Sequence, residues 1–230
     1  MVATVGRRGV ERSVELPGPG TGPYRTTLTG ISWQSYEQLV EDDLDRSVPR
    51  LTFDRGMLEI MSPTNAHESV NRCLANIVTI VSGQLGISLA DVGSVTVRRR
   101  ELERGFEADS TFYFTNLELI KSVTTTLDLA IHPPPDLVIE IDATHSSLPK
   151  LSLFAALGVP EIWRVEDVEE GSVIIYVLHD GAYVRSSASR VIAALTGEAL
   201  TRLVADRQRL GSAAWFRHVL TWAQEQTDDT

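Results

Sequence analysis

Pro134 to Lys150, PPDLVIEIDATHSSLPK, decides how the rest of the chain is read. Two prolines open a run of alternating apolar residues, the pattern of a strand, whose side chains point to opposite faces in turn. Leu137, Ile139 and Ile141 then form one face, suited to packing under a helix, and Asp136, Val138, Glu140 and Asp142 form the other. Acidic residues are depleted from strands because their charge needs water or a partner. Three carboxylates in a segment that otherwise reads as buried strand call for a counter-charge.

A second strand stands upstream in FEADSTFYF, Phe106 to Phe114, where Glu107, Asp109, Thr111 and Tyr113 share a face. With the two strands as neighbours, Asp109 and Glu140 meet within a few ångströms. Carboxylates that close repel and do not all ionise unless a cation lies between them. Hard oxygen ligands suit Mg²⁺ or Mn²⁺ rather than zinc. Such an ion polarises a phosphoryl oxygen and lowers the pKa of a bound water. Lys150, near the start of the helix that follows, is placed to reach back and orient that water or neutralise developing charge. This is the chemistry of phosphodiester hydrolysis.

The remaining segments supply a frame for that site. Residues 1–26 contain ELPGPGTGP and read as a flexible lead-in. Residues 27–190 read as one domain and 191–230 as a helical extension. ISWQSYEQLVEDD predicts a short helix capped by Ser32, with Trp33, Tyr36, Leu39 and Val40 on one face. RLTFDRGMLEIMSP predicts a hairpin turning at Asp54-Arg55-Gly56. In NAHESVNRCLANIVTIVSGQLG, apolar residues from Val70 to Leu85 recur at helical spacing, with Asn65 and Glu68 at capping-box distance and Gly86 as the stop. The order helix, three strands, helix, strand predicts a mixed α/β sheet sandwiched by helices.

Composition narrows the function classes. The net charge is −10, which repels phosphate backbones at long range and counts against a DNA-packaging role. It leaves room for an enzyme that meets nucleic acid through a metal and a local basic patch. No apolar stretch has the roughly 20 residues a membrane span needs, and MVATVGRRGVERS lacks the apolar centre of a secretory signal. The single cysteine, Cys73, suits a reducing cytoplasm, and the five histidines show no zinc spacing.

The order Asp109, Glu140-Ile141-Asp142, Lys150, on strand, strand and helix, resembles the PD-(D/E)xK nuclease superfamily. LTFDRGMLEIMSPTNAHE, LERGFEADSTFYF, PPPDLVIEIDATHSSLPK and FAALGVPEIWRV are similar, in order and spacing, to the bacterial Uma-two family of restriction-endonuclease-like proteins. The resemblance implies a restriction-endonuclease-like fold, a divalent metal, a DNA substrate and a homodimer. It makes Asp109 and Glu140 metal ligands and Lys150 the catalytic lysine, displaced from the strand to the next helix. Ala108 stands where the family usually has proline, and Asp142 where the wider superfamily has its lysine.

Several positions carry two readings. Asp142 either joins the metal or caps the turn at Ala143-Thr144. Glu68 either completes the capping box or lends its carboxylate to the metal, and His67 either touches a substrate phosphate or sits in the turn. Arg98, Arg99, Arg100 and Arg104 form the dense basic cluster, either holding a DNA backbone or offsetting nearby glutamates. The alternative function is a catalytically inactive module of the same fold that binds nucleic acid or a protein partner.

Overall fold

The computed structural model describes residues 24–42, 48–123, 125–141, 150–166, 168 and 171–228. The lead-in expected over 1–26 falls outside these residues up to 23, and Tyr24 already opens a strand. The first half runs β1 (Tyr24–Thr29), α1 (Trp33–Asp42), β2 (Arg50–Asp54), β3 (Met57–Ser62), α2 (Asn65–Gln84), β4 (Ala90–Asp91) and β5 (Thr96–Arg99). After β5 come β6 (Arg104–Glu107), β7 (Ser110–Tyr113), α3 (Leu117–Ile120), β8 (Thr126–Asp128) and β9 (Leu137–Ile141). The chain closes with α4 (Lys150–Ala156), β10 (Glu161–Val165), β11 (Val173–His179), β12 (Ala182–Ser186), α5 (Gly197–Leu210) and α6 (Ser212–Asp228).

Mixed β-structure flanked by helices is as the pattern predicts, but the strands divide into two sheets where one was expected. The first has the order β1-β3-β2-β6-β5-β8 and the second β12-β11-β10-β9-β7-β4. FEADSTFYF is the reason. Read as one strand, it is two: β6 belongs to the first sheet, β7 to the second, and Ala108-Asp109 is the crossing between them. Period-two alternation continues unbroken through such a crossing, so the pattern alone does not reveal it.

Each face of the sheets has its own apolar partner. Leu137, Ile139 and Ile141 face α2, joined there by Trp163 of β10 and by Leu200, Leu203, Trp215 and Val219 of the C-terminal helices. The helices from 191 onward thus share a core with the second sheet. Val138 on the opposite face packs with Val97 and Phe106 of the first sheet and with Leu153 and Phe154 of α4. Leu51, Phe53 and Leu58, on the outer face of the first sheet, pack under Trp33, Tyr36 and Val40 of α1. Leu39, assigned by its spacing to that apolar face, is exposed instead.

Local chemistry agrees with the element ends. Ser32 Oγ accepts the Ser35 amide at 3.1 Å and starts α1. The β2–β3 hairpin turns on Arg55 and Gly56, with φ of 45° and 91°, the paired positive values of a two-residue turn that matches strand twist. At the end of α2, Gly86 has φ 69° while Ile87 N donates to Ser82 O and Gly86 N to Gly83 O, a Schellman stop. Gly105 lies so close to the Tyr36 hydroxyl that a Cβ there would fall 2.2 Å from it. Among the described residues, no helix is long and apolar enough to cross a membrane.

A candidate metal centre at the sheet crossing

Asp109 sits where the chain leaves one sheet for the other, and both its carbonyl and its carboxylate accept hydrogen bonds. Asn71 of α2 donates through Nδ2 to the Asp109 carbonyl at 2.9 Å, while Ser110 Oγ donates to Asn71 Oδ1 at 2.9 Å. The amide of Ile141, the last residue of β9, donates to Asp109 Oδ2 at 2.6 Å. The carboxylate therefore takes the place of a ladder partner at the end of β9. Thr111 pairs with Val138 and Ser110 with Ile139, where the ladder ends, and Asp109 lies just beyond it at a bend in the chain.

Among the described residues, the acid grouped with Asp109 is Glu68. A ring nitrogen of His67, a Glu68 oxygen and an Asp109 oxygen lie within 4.8 Å of one another. The reason is the start of α2. Its N-cap is Thr64, whose Oγ1 accepts the His67 amide at 3.2 Å, and not Asn65 as the capping-box spacing suggested. Glu68 is thereby moved one position further into the helix, past the place where a box glutamate reaches back. Its carboxylate instead accepts from Arg50 Nη2 at 2.5 Å and has Arg72 Nε 3.9 Å away.

Arg50, the first residue of β2, is 5% exposed and its guanidinium also contacts the Asp109 carboxylate. A buried guanidinium shared by two acids offsets their mutual repulsion and the cost of removing them from water. The three groups line a cleft of about 490 Å³, together with Asn71, Arg72 and Ser110.

His67 is buried beneath this cleft. Its Nε2 is 2.7 Å from the Ile141 carbonyl and 3.3 Å from Asp109 Oδ2, and both neighbours are acceptors. Nε2 therefore carries the proton and donates, which leaves the lone pair on Nδ1. Burial first, and then the Arg50 charge, lower the pKa of the imidazole. A neutral His67 fastened to the strand end braces Asp109; through Nε2 it is not a metal ligand.

The second group of charges is the one around Lys150. At the first residue of α4 its ammonium contacts Glu140 Oε1 and stands 3.6 Å from Glu59 Oε1. Glu59 in turn accepts from Arg25 at 2.7 Å. The lysine reaches the strand from its helix, and it does so between two buried acids. Thr52 pairs with Glu59 across β2 and β3, so Glu59 lies on the inner face of the first sheet, while Glu140 shares a face of the second sheet with Val138. The two sheets thus contribute one carboxylate each to this ammonium.

Two residues emphasised here, Glu59 and Arg50, were not singled out from the sequence. Glu59 carried the signal used for Glu140, an acid between Leu58 and Ile60 in an apolar strand. Arg50 carried none, because an arginine before a strand is ordinarily a solvated end. Asp142 lies outside the described residues, as does the turn at Ala143-Thr144. Asp136 accepts from the amides of Phe114 and Thr115 and so fastens the loop after β7.

The basic cluster stands elsewhere. Arg104 Nε donates to Asp54 at 2.9 Å, at the other end of β2 from Arg50 and hence about 13 Å along the strand at 3.3 Å per residue. Arg98 lies 3.7 Å from Glu37, which also receives Arg100 at 2.5 Å, and Arg99 faces Glu101 at 3.6 Å. Arg98 and Arg104 are largely covered; Arg99 and Arg100 are exposed.

A family model described as "Putative restriction endonuclease", Uma2, matches residues 33–206, a span that contains Arg50, Glu59, Glu68, Asp109, Glu140 and Lys150. A solved structure, that of a "putative nuclease belonging to DUF820" from Anabaena variabilis, is similar with a TM-score of 0.51. The two share 15% identity, over 76% of this chain and 99% of that one, a likeness of fold. No curated protein matches the chain.

Proposed function

From the premise that the chain belongs to the Uma2 restriction-endonuclease family, we propose that it is a divalent-metal-dependent endonuclease that hydrolyses phosphodiester bonds in DNA. The observation that carries this reading is the meeting of Glu68 and Asp109 around one buried cation, Arg50, at the floor of an open cleft. Two carboxylates that already require a positive charge between them form an oxygen donor set suited to Mg²⁺ or Mn²⁺. A bound ion of this kind polarises a phosphoryl oxygen and lowers the pKa of a coordinated water.

The chain's own residues have separable parts in this proposal. Asp109 and Glu68 hold the ion, and Glu140, one residue before the Ile141 amide that Asp109 accepts, is the third acid. Asp142 stays in the proposed set from its place in the motif alone. The Ile141 amide and His67 fix the direction of the Asp109 carboxylate, so that its Oδ1 edge is the one turned to the cation. Lys150 carries three donors and is aimed by Glu140 and Glu59. From there it orients a water or meets charge gathering on a phosphate oxygen. Arg99 and Arg100, the exposed members of the basic cluster, are offered for a DNA backbone, whereas Arg98 and Arg104 serve the fold. A homodimer would present one such cleft to each strand of a duplex; the family resemblance alone supports it.

The test is nicking of supercoiled plasmid by the purified protein with Mn²⁺ or Mg²⁺. Cleavage that stops with a chelator and is lost in Asp109→Asn supports the reading. Cleavage indifferent to chelator, or fully retained in Asp109→Asn, rejects it. Manganese binding without cleavage on DNA or RNA favours the inactive module.

A further inference from the structure

Arg50 has no place in the hydrolysis just described, yet it occupies the centre of the acid cluster. Its side chain is 6% exposed, and its partners among the described residues are Glu68 and Asp109, the two carboxylates assigned to the metal. Its Nε and Nη1 are buried without a hydrogen-bond partner, so the guanidinium is held there by one hydrogen bond to Glu68 and by its ion pair with Asp109. A buried charge with incomplete hydrogen bonding is costly unless its counter-charges stay close. Carboxylate oxygens are also what a divalent cation requires, so the guanidinium and the ion call on the same atoms.

We propose that Arg50 is a resident counter-ion, which neutralises Glu68 and Asp109 in the metal-free protein and competes with the divalent cation for them. The inference rests on the metal reading above and adds regulation of that site: Arg50 sets how much free metal the cleft needs. It keeps the acids together before the ion arrives, and it weakens the ion's grip by making it displace a bound charge. Arg72, exposed at 3.9 Å from Glu68, is too far and too solvated to do either.

The experiment is calorimetric titration with Mn²⁺, with thermal unfolding measured in its presence and absence, on the wild type, Arg50→Gln, Arg50→Lys and Asp109→Asn. Arg50→Gln should melt below the wild type without metal and regain most of the loss in millimolar Mn²⁺. It should bind Mn²⁺ about tenfold more tightly, the scale of removing one close competing charge. Arg50→Lys should fall between, because a single ammonium lacks the fork that bridges two carboxylates. A variant that merely loosened the fold would bind the ion more weakly. Should Arg50→Gln fail to fold in either condition, the lysine variant carries the test, and binding no tighter than wild type overturns the proposal. Binding lost in Asp109→Asn but unchanged or weakened in both Arg50 variants overturns the counter-ion role and leaves the metal site standing. Absence of Mn²⁺ binding in the wild type and both Arg50 variants overturns both.

Discussion

The ammonium of Lys150 lies between Glu140, ten residues earlier in the chain, and Glu59 on the other sheet, 3.6 Å away. A cation at the first residue of a helix opposes the helix dipole. Two buried acids explain why it is there. This bridge is what joins α4 to both sheets at the proposed site, and most of the tests below act on it or on its neighbour at Asp109.

Glu140→Gln should abolish metal-dependent plasmid cleavage while the circular dichroism spectrum stays that of the wild type and the melting temperature falls, because Lys150 loses one of its two buried counter-charges. Lys150→Ala should lose on the order of 10²-fold in rate, the usual effect of removing one preorganised charge from a transition state. Full activity in either variant removes that residue from the chemistry.

Glu59→Gln separates aim from ligation. With its charge gone, Lys150 keeps Glu140 but loses the second acid that centres it. Cleavage should fall about tenfold, within the range for groups that orient a catalytic residue. Manganese affinity, read by calorimetry, should not change, since Glu59 is engaged by Arg25 and Lys150 and is not among the proposed ligands.

Stability should fall in mild acid through His67. Its pKa in the folded protein is held below the ordinary 6.5 by burial and by Arg50, so between the two values the unfolded chain binds more protons. Stability is then full above the ordinary pKa and is lost as pH falls below it toward the lowered one. Urea midpoints at pH 7.5 and pH 5.5 measure this. His67→Gln should show a smaller difference between them.

Cys73 should resist thiol reagents in the folded state. It is buried on the apolar face of α2, and burial pushes its thiol up to about 12, so almost no thiolate exists near pH 8. Labelling should follow unfolding in urea; rapid labelling of the native protein would place Cys73 at the surface.

Much of this arrangement was legible beforehand, and the residues show why. The alternation in DLVIEI correctly divided β9 into a face under α2 and a face carrying Glu140, because burial on one side leaves a period-two record. The long helix, its glycine stop and the Arg55-Gly56 turn followed from equally local chemistry. Local pattern failed where a tertiary decision intervened. Alternation runs straight through Ala108-Asp109, so it could not show that β6 and β7 part into different sheets. Thr64 and Asn65 are both good caps, and choosing Thr64 is what turned Glu68 away from its own backbone toward Arg50. Glu59, Glu140 and Lys150 meet only because two sheets face each other, a relation that no single stretch contains.

The crossing at Asp109 has a further meaning for how errors spread through this molecule. One residue is measured off against α2 by Asn71 at its carbonyl, against β9 by Ile141 at its carboxylate and against both sheets by the chain on either side. A one-residue insertion or deletion between Phe106 and Ser110 would leave each sheet free to repair its own pairing. It would nevertheless slide the carboxylate out of alignment with all its references at once. The site is in this sense a gauge of the assembled fold, silent until every layer has docked.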